Sequence, residues 1–321
     1  MTNKTICTHS GNFHADEALA CFLLKLTPKY KDANIVRSRD KKVIDAADIV
    51  VDVGAEYDVE KQRFDHHQAS FTDTFDDKHQ IKLSSAGLIY KHFGKEIIKN
   101  RLEINDSLTE VIFQKLYNSM IEELDGIDNG VERYPSDITP KYESNLNITS
   151  MIRALNPEWN EPQTDEIINA QFEKAMKLMG DVFLQKLDFY GKSWLPARTI
   201  VEDAINFRKD VHSSGEIIVL EHFCPWKDHL YSLEKSMEIK TPIKFVLFAD
   251  TAGSWRIQAV NVNSHSFSLR QPIGPPEWRG KRDEELSAIS GIDNCVFVHA
   301  NGFIGGNNNK DGALLMAIRS L

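Results

Sequence analysis

Ile6-Cys7-Thr8-His9-Ser10-Gly11-Asn12-Phe13-His14-Ala15-Asp16-Glu17-Ala18-Leu19-Ala20-Cys21-Phe22 runs from an apolar segment through a polar loop into a helix-forming segment. Ile6 to Thr8 reads as a strand. Asp16 to Leu26 reads as a helix with Ala18, Cys21, Phe22 and Leu24 on its apolar side. A strand that hands over to a helix through a short loop opens a crossover unit, so a parallel sheet is expected. Open α/β sheets bind ligands beyond the carboxyl ends of their strands. The loop in that position carries His9, His14 and Asp16.

The same order continues outward. Ile35 to Val36 and Asp48 to Val53 read as further strands, and Val50-Val51-Asp52-Val53-Gly54 ends an apolar run on a carboxylate. Phe64-Asp65-His66-His67-Gln68 sets two adjacent imidazoles beside another. Ser84 to Phe93 and Ser107 to Leu124 read as helices; in the second, Leu108, Ile112, Leu116, Met120 and Leu124 form one apolar stripe. Asp125-Gly126-Ile127-Asp128-Asn129-Gly130 closes it. Tyr134 to Thr164, rich in Pro, Asn, Ser and Thr, reads as a long connection with a short helix near Met151 to Leu155, and helix resumes from Asp165 to Phe189.

From about Leu195 the pattern turns to strands at Glu216 to Leu220, Ile243 to Phe248, Trp255 to Val262 and Asn294 to Val298, with Ala252-Gly253-Ser254 as a hairpin turn. Two α/β domains are therefore expected, residues 1–190 and a smaller unit over 191–321. Phe303-Ile304-Gly305-Gly306-Asn307-Asn308-Asn309 precedes a helical stretch, Gly312 to Arg319, and is expected to offer free backbone N–H groups to an anion; an ordinary turn is the alternative.

Composition narrows the class. Of 321 residues 41% are hydrophobic and 26% charged, ordinary for a globular chain. Cys7, Cys21, Cys224 and Cys295 are far apart, which suggests neither a thiolate zinc site nor a disulfide framework. No run approaches the roughly 20 apolar residues of a membrane span. With no Arg-rich presequence after Met1, a cytoplasmic and/or nuclear protein is expected, and mitochondrial import is not supported. The net charge of -9 argues against a broad duplex-coating face, yet a carboxylate site neutralised by metal and a short basic groove are compatible with a nuclease.

His9, His14, Asp16, Asp52, Asp65, His66, His67 and either Asp125 or Asp128, with Asp125 ahead, exceed what one cation needs, so two ions are expected. Oxygen-rich ligands with a few imidazoles and no thiolate suit Mn²⁺ or Mg²⁺. Asp52 is the candidate bridge between the ions, and His67 is expected to lie beyond the ligands and orient the phosphate or attacking water. His92, His212, His222 and His229 receive no role, since single histidines are commonly surface or satisfied core residues. Arg270, Arg279, Lys281 and Arg282 are either a solvated charge run or a nucleic-acid contact.

The His9 to Asp16 motif, Val51-Asp52 and Phe64 to Gln68, with an acidic residue after a long helix, resemble the DHH phosphoesterase superfamily. With Asp125 to Gly130 and Phe297-Val298-His299-Ala300-Asn301-Gly302-Phe303-Ile304-Gly305-Gly306, the chain resembles the melanocyte proliferating gene one family nearly end to end. The resemblance implies a parallel-sheet DHH domain followed by a substrate-binding domain, divalent metal dependence, and a 3′-to-5′ exonuclease acting on RNA. It implies metal roles for His9, His14, Asp16, Asp52, His66 and Asp125, with His67 near the scissile phosphate. One departure stands out: His14 occupies a place where the wider superfamily usually has a carboxylate.

The expected protein is thus a phosphodiesterase trimming single-stranded RNA from its 3′ end in a cleft between domains, with His67 and Asp65 as catalytic side chains. His299, Asn301, Gly302, Gly305, Gly306 and Arg270 are expected to hold the end of the substrate, and Trp255, Phe267 or Trp278 to stack on bases unless they pack in a core. The alternatives are a hydrolase of pyrophosphate, cyclic dinucleotides or very short oligonucleotides, and a metal-binding scaffold without turnover.

Overall fold

A computed structural model describes residues 3–135, 137–264 and 266–321. The chain divides into two compact units, Met1–Gly191 and Lys192–Leu321. No described helix is long and apolar enough to cross a membrane.

The first unit opens with β1 (Thr5–Thr8), α1 (Ala15–Lys25), β2 (Asn34–Arg37), α2 (Lys41–Ala46) and β3 (Ile49–Val51), followed by β4 (Tyr57–Asp58) and β5 (Arg63–Phe64). The sheet order is β2-β1-β3-β5-β4, with every pairing parallel except β4 with β5. Because β2 and β3 flank β1 on opposite sides, the chain reverses its direction of travel across the sheet at β1, and a crevice opens beyond the carboxyl ends of β1 and β3. Cys7 and Val50 face α2, where Ile44, Ala47 and Val53 complete a small core. α1 is buried on nearly every side, and its Phe22 ring lies so close to Gly180 that a Cβ there would come within 2.2 Å.

Helices α3 (Ser85–Leu102), α4 (Asp106–Leu116), α5 (Glu122–Asp128), α6 (Ile148–Arg153) and α7 (Asp165–Phe189) complete the unit. The helix expected from Ser107 to Leu124 is divided by a π-helical turn at Tyr117–Ile121. Apolar residues spaced by four drift about 40° per step around a pure α-helix, and a wider turn takes up part of that drift. Ile112, Leu116, Met120 and Leu124 accordingly all remain buried.

The second unit contains α8 (Leu195–Asn206), α9 (Arg208–Val211), β6 (Ile217–Val219), α10 (Lys227–Ser236), β7 (Phe245–Ala249), β8 (Trp255–Ala259), α11 (Asp283–Ser290), β9 (Cys295–Val298), β10 (Ile304–Asn307) and α12 (Lys310–Ile318). Its sheet order is β6-β7-β8-β10-β9, parallel only between β6 and β7. Alternate residues of β7 supply two cores: Val246 and Phe248 pack with Trp226 and Leu230, Phe245 and Leu247 with Trp278 and Met316.

The stretch Phe303 to Asn309 corrects the expected anion loop. Gly305 and Gly306 lie inside β10 between β8 and β9, so their peptide groups belong to the ladder. Glycine is used here for close approach instead, since a Cβ on Gly306 would sit 2.4 Å from the Arg256 guanidinium. Asn309 caps α12 with its own side chain, accepting from the Gly312 N–H at 2.8 Å.

Candidate metal centre

His9 follows β1, Asp52 follows β3, and Asp65 and His66 follow β5, so three neighbouring parallel strands deliver these groups to one edge of the sheet. Asp52 adopts a left-handed backbone with φ of 57°, a conformation that Asp tolerates better than most residues. Its N–H still donates to Phe64 O at 3.2 Å, which keeps it registered against β5.

Asp52 stands between two buried imidazoles. Its Oδ2 lies 3.4 Å from His9 Nε2 and its Oδ1 3.5 Å from His66 Nε2, while Ser85 Oγ donates to Oδ1 at 3.1 Å. Glu17 Oε1 approaches His9 Nε2 to 2.9 Å, and Asp128 Oδ2 approaches His66 Nε2 to 3.1 Å. Burial alone would lower both imidazoles, but Asp52 and Glu17 around His9, and Asp128 and Asp52 around His66, outweigh it and lift each to about 10. Burial would raise Asp52, yet the imidazoles of His66 and His9 beside it hold it well below the usual carboxylate range. Asp16 is driven upward, first by complete burial and then by the charges of Asp128 and Asp52. The site is therefore crowded with anions and gathers positive charge wherever a side chain can supply it.

Asp16 and Asp125 anchor the N-terminus of α3, where backbone N–H groups have no partner within the helix. Asp16 accepts from Ser85 N at 3.0 Å and Ala86 N at 2.7 Å. Asp125 accepts from Ser84 N at 2.9 Å, Ser84 Oγ at 2.8 Å and Tyr117 OH at 2.8 Å. Burial pushes Asp125 up to about 6. Of the two acids expected at this place, Asp125 is bonded to Ser84 and Tyr117, whereas Asp128, one turn further along α5, faces His66. Asp16, His66 and Asp128 bring three donor atoms within 4.8 Å of one another, as do Asp52 with His66 and His67, and His9 with His14 and Glu17.

Glu17 was missed in sequence because a carboxylate three residues after a helix N-cap reads as a capping box, and it does accept from the His14 N–H at 2.9 and 3.0 Å. That it lies completely buried against His9 is visible only in three dimensions.

The donor set fits divalent cations. His66 Nε2 is buried and has no aligned hydrogen-bond partner although carboxylate oxygens lie 3.1 and 3.5 Å away. Such a nitrogen, surrounded by anions it does not bond squarely, suits a cation placed among them. A cavity of about 770 Å³ opens here, lined by His9, His14, Asp16, Asp52, Asp65 and His67 among others.

His67 differs from His66 in being largely exposed to that cavity, with 60% of its side chain accessible. Asp65 Oδ1 accepts from His67 Nδ1 at 2.7 Å and from its backbone N–H at 3.1 Å, while Asp65 Oδ2 accepts from Ala55 N at 2.6 Å. Asp65 therefore fixes the ring and leaves Nε2 as the basic nitrogen.

The side chains expected to hold substrate in the second unit have other partners. Arg270 makes two bonds to Glu234, at 2.7 and 2.8 Å, and one to Ile243 O at 2.8 Å, so it is a structural ion pair. Trp278 packs in the core, and Trp255 lies partly buried beneath Lys310. Arg279 bonds Gly274 O, and Lys281 pairs with Glu285. His299 Nδ1 accepts from the Asn301 N–H at 3.2 Å, and Gly302, with φ of 67°, turns the chain back as its N–H donates to His299 O at 2.8 Å. His299, Asn301 and Phe267 remain exposed.

A family model described as MYG1_exonuc, Uncharacterised protein family (UPF0160), matches residues 5–321. The MYG1 protein of Dictyostelium discoideum is 69% identical over 321 residues, covering 100% of this chain and 97% of that protein. The MYG1 protein of Saccharomyces cerevisiae is 48% identical, covering 99% of this chain and 96% of the relative. The MYG1 exonuclease of Homo sapiens is 48% identical over 329 residues, covering 100% of this chain and 86% of the human protein.

Proposed function

We propose a reaction from the premise that this chain belongs to the MYG1 exonuclease family, UPF0160: it is a divalent-metal-dependent nuclease that removes nucleotides from the 3′ end of single-stranded RNA. The observation that carries the reading is Asp52, set between His9 and His66 at the carboxyl edge of a parallel sheet with one oxygen toward each. The likeness of the same motifs to the DHH phosphoesterases supports it. Two ions, Mn²⁺ or Mg²⁺, would be held by His9, His14 and Glu17 on one side and Asp16, His66 and Asp128 on the other, with Asp52 shared. Such ions supply charge neutralisation at phosphorus and a water made nucleophilic at neutral pH.

The chain's own residues do the remaining work. Asp65 holds His67 so that Nε2 can take a proton from the attacking water or bond a phosphate oxygen. Ser85 Oγ fixes Asp52, and the α3 N-terminus fixes Asp16, so neither carboxylate has to reorganise when substrate arrives. Asn129 accepts at 3.3 Å from His66 Nδ1 and orients that ring.

Purified protein with Mn²⁺ and 5′-labelled single-stranded RNA should give a ladder shortening from the 3′ end. His67→Ala should lose turnover while retaining metal. Phosphate release from pyrophosphate with intact RNA would replace the reading by a small-phosphate hydrolase, and bound metal without any turnover by a scaffold.

A further inference from the structure

The cavity of the first unit has a second wall that the acid and imidazole cluster leaves unexplained. Arg39, just beyond β2, and Thr149, Ser150 and Arg153, all on α6, line it together with the carboxylates. Residues three and four apart share a helix face, so α6 turns one donor-bearing face into the cavity while Ile152 is completely buried. The wall is firmly attached: Asn156 donates to Phe13 O and accepts from Phe13 N, both at 2.9 Å, pinning the end of α6 to the loop that carries His9 and His14. Arg37 donates to Gly11 O at 2.7 Å and stacks on Phe172, and Arg39 Nε donates to Ser10 O at 3.2 Å, so the same loop is held from β2 as well.

The two guanidinium groups at the cavity are unspent. Only Nε of Arg39 is engaged, and Arg153 has neither a side-chain hydrogen bond nor an ion pair among the described residues. This holds although Asp16, Asp52, Asp65 and Asp128 line the same cavity. Those carboxylates are committed to imidazoles and backbone N–H groups. Two permanent cations with planar donor forks therefore line this cavity with no carboxylate bonded to either among the described residues, and phosphate is the group such forks match.

Resting on the nuclease reading, we propose that Arg39 and Arg153 form a clamp for a phosphodiester that is not being cleaved, the one adjoining the scissile group. The ligand class is then a chain with at least two successive phosphodiesters. A clamp remote from the reacting bond acts mainly on substrate affinity, and loss of each charge-assisted contact raises KM by about tenfold.

The test uses the full chain with Mn²⁺. The double variant R39Q/R153Q should retain wild-type metal content, raise KM for short single-stranded RNA by about 100-fold, leave kcat within a few fold, and lower the slope of log affinity against log salt by about 0.7 per contact. R39K/R153K, which keeps charge and loses the fork, should raise KM by an intermediate amount and keep the parental salt slope. Unchanged KM and salt slope would overturn the clamp, as would a collapse of kcat at constant KM, which would put the arginines on the reacting phosphate. If glutamine costs the fold, the lysine pair decides alone by its KM, and a parental KM overturns the clamp. If the parent chain cleaves no RNA, the nuclease reading fails separately. Anisotropy of fluorescein-labelled RNA on His67→Ala with and without R39Q/R153Q then reads the clamp, and equal affinities overturn it.

Discussion

The two units of this chain bury different things. In Met1–Gly191 five carboxylates, Asp16, Glu17, Asp52, Asp65 and Asp125, are withdrawn from solvent with His9 and His66; in Lys192–Leu321 no described Asp or Glu is buried, and the polar groups inside are His229, Ser290, Asn307 and Ser320. A buried carboxylate costs stability unless it is paired, so gathering Asp16, Asp52 and Asp65 at one cavity points to chemistry there. The second unit follows the opposite rule. Its charges pair in half-buried positions, as Arg256 with Asp250 and Lys244 with Glu216, and its sheet is filled by aliphatic and aromatic side chains.

Breaking the first unit's arrangement should have the largest effect at its centre. Asp52→Asn removes the one anion facing both imidazoles and is expected to lower nuclease turnover by more than about 100-fold with a fall in metal content, measured as the metal-to-protein ratio and the rate on labelled RNA. Full activity in a metal-replete variant would show that the site lies elsewhere. Gly87→Ala comes next. Its Cβ would meet Asp125 Oδ1 at 2.2 Å, inside a fully buried set of bonds, and a loss of about 3 kcal/mol in denaturant unfolding is expected. Gly306→Ala in the second unit meets the Arg256 guanidinium, which Asp250 holds, and should cost about 1 kcal/mol; equal losses would erase the contrast. Adding Mn²⁺ at about 100 times its Kd should stabilise the native state by about 2.7 kcal/mol. Hydrogen exchange should show that protection in β1, β3 and β5, and not in β7 or β8.

The first unit's layout was legible because its strands are apolar and its ligands fall at their ends, so Ile6 to Thr8 and Val50 to Asp52 announce both strand and site. What sequence could not decide was which of two acids one turn apart faces the cluster. Asp125 and Asp128 lie on the same helix, and only the docking of α3 through Ser84 assigns Asp125 to structure. Gly305-Gly306 misled for a related reason. Glycine before a helix serves equally as an anion nest or as the gap in a strand where Arg256 crosses, and the choice depends on neighbours far away in sequence. The short β4 and β5 carry two residues each, too few for any periodicity.

Arg270 sharpens the same contrast from the other unit. Because its guanidinium is held by Glu234 and Ile243 O, Arg270→Ala should destabilise by about 1–3 kcal/mol and leave RNA affinity unchanged. A variant of parental stability that binds RNA more weakly would return Arg270 to the substrate site.

The smallest effect concerns His79, a histidine of the first unit outside the metal cluster. Its Nδ1 lies 2.6 Å from Asp76 Oδ1 and its Nε2 2.6 Å from Asn118 Oδ1. Burial would lower the imidazole, but Asn118 and Asp76 raise it; Asp76 is held below its ordinary value because the His79 bond outweighs burial. A raised histidine stabilises fully below its unfolded value of 6.5 and loses that contribution as pH climbs through the folded value. A lowered aspartate stabilises above 3.8 and loses that contribution as pH falls through its folded value. The pair is therefore strongest between these limits. His79→Gln should remove a stability difference of less than about 1 kcal/mol between pH 5.5 and pH 8.5, read from denaturant midpoints. If the parent and the variant trace the same pH curve, the pair of His79 with Asp76 does not contribute to stability.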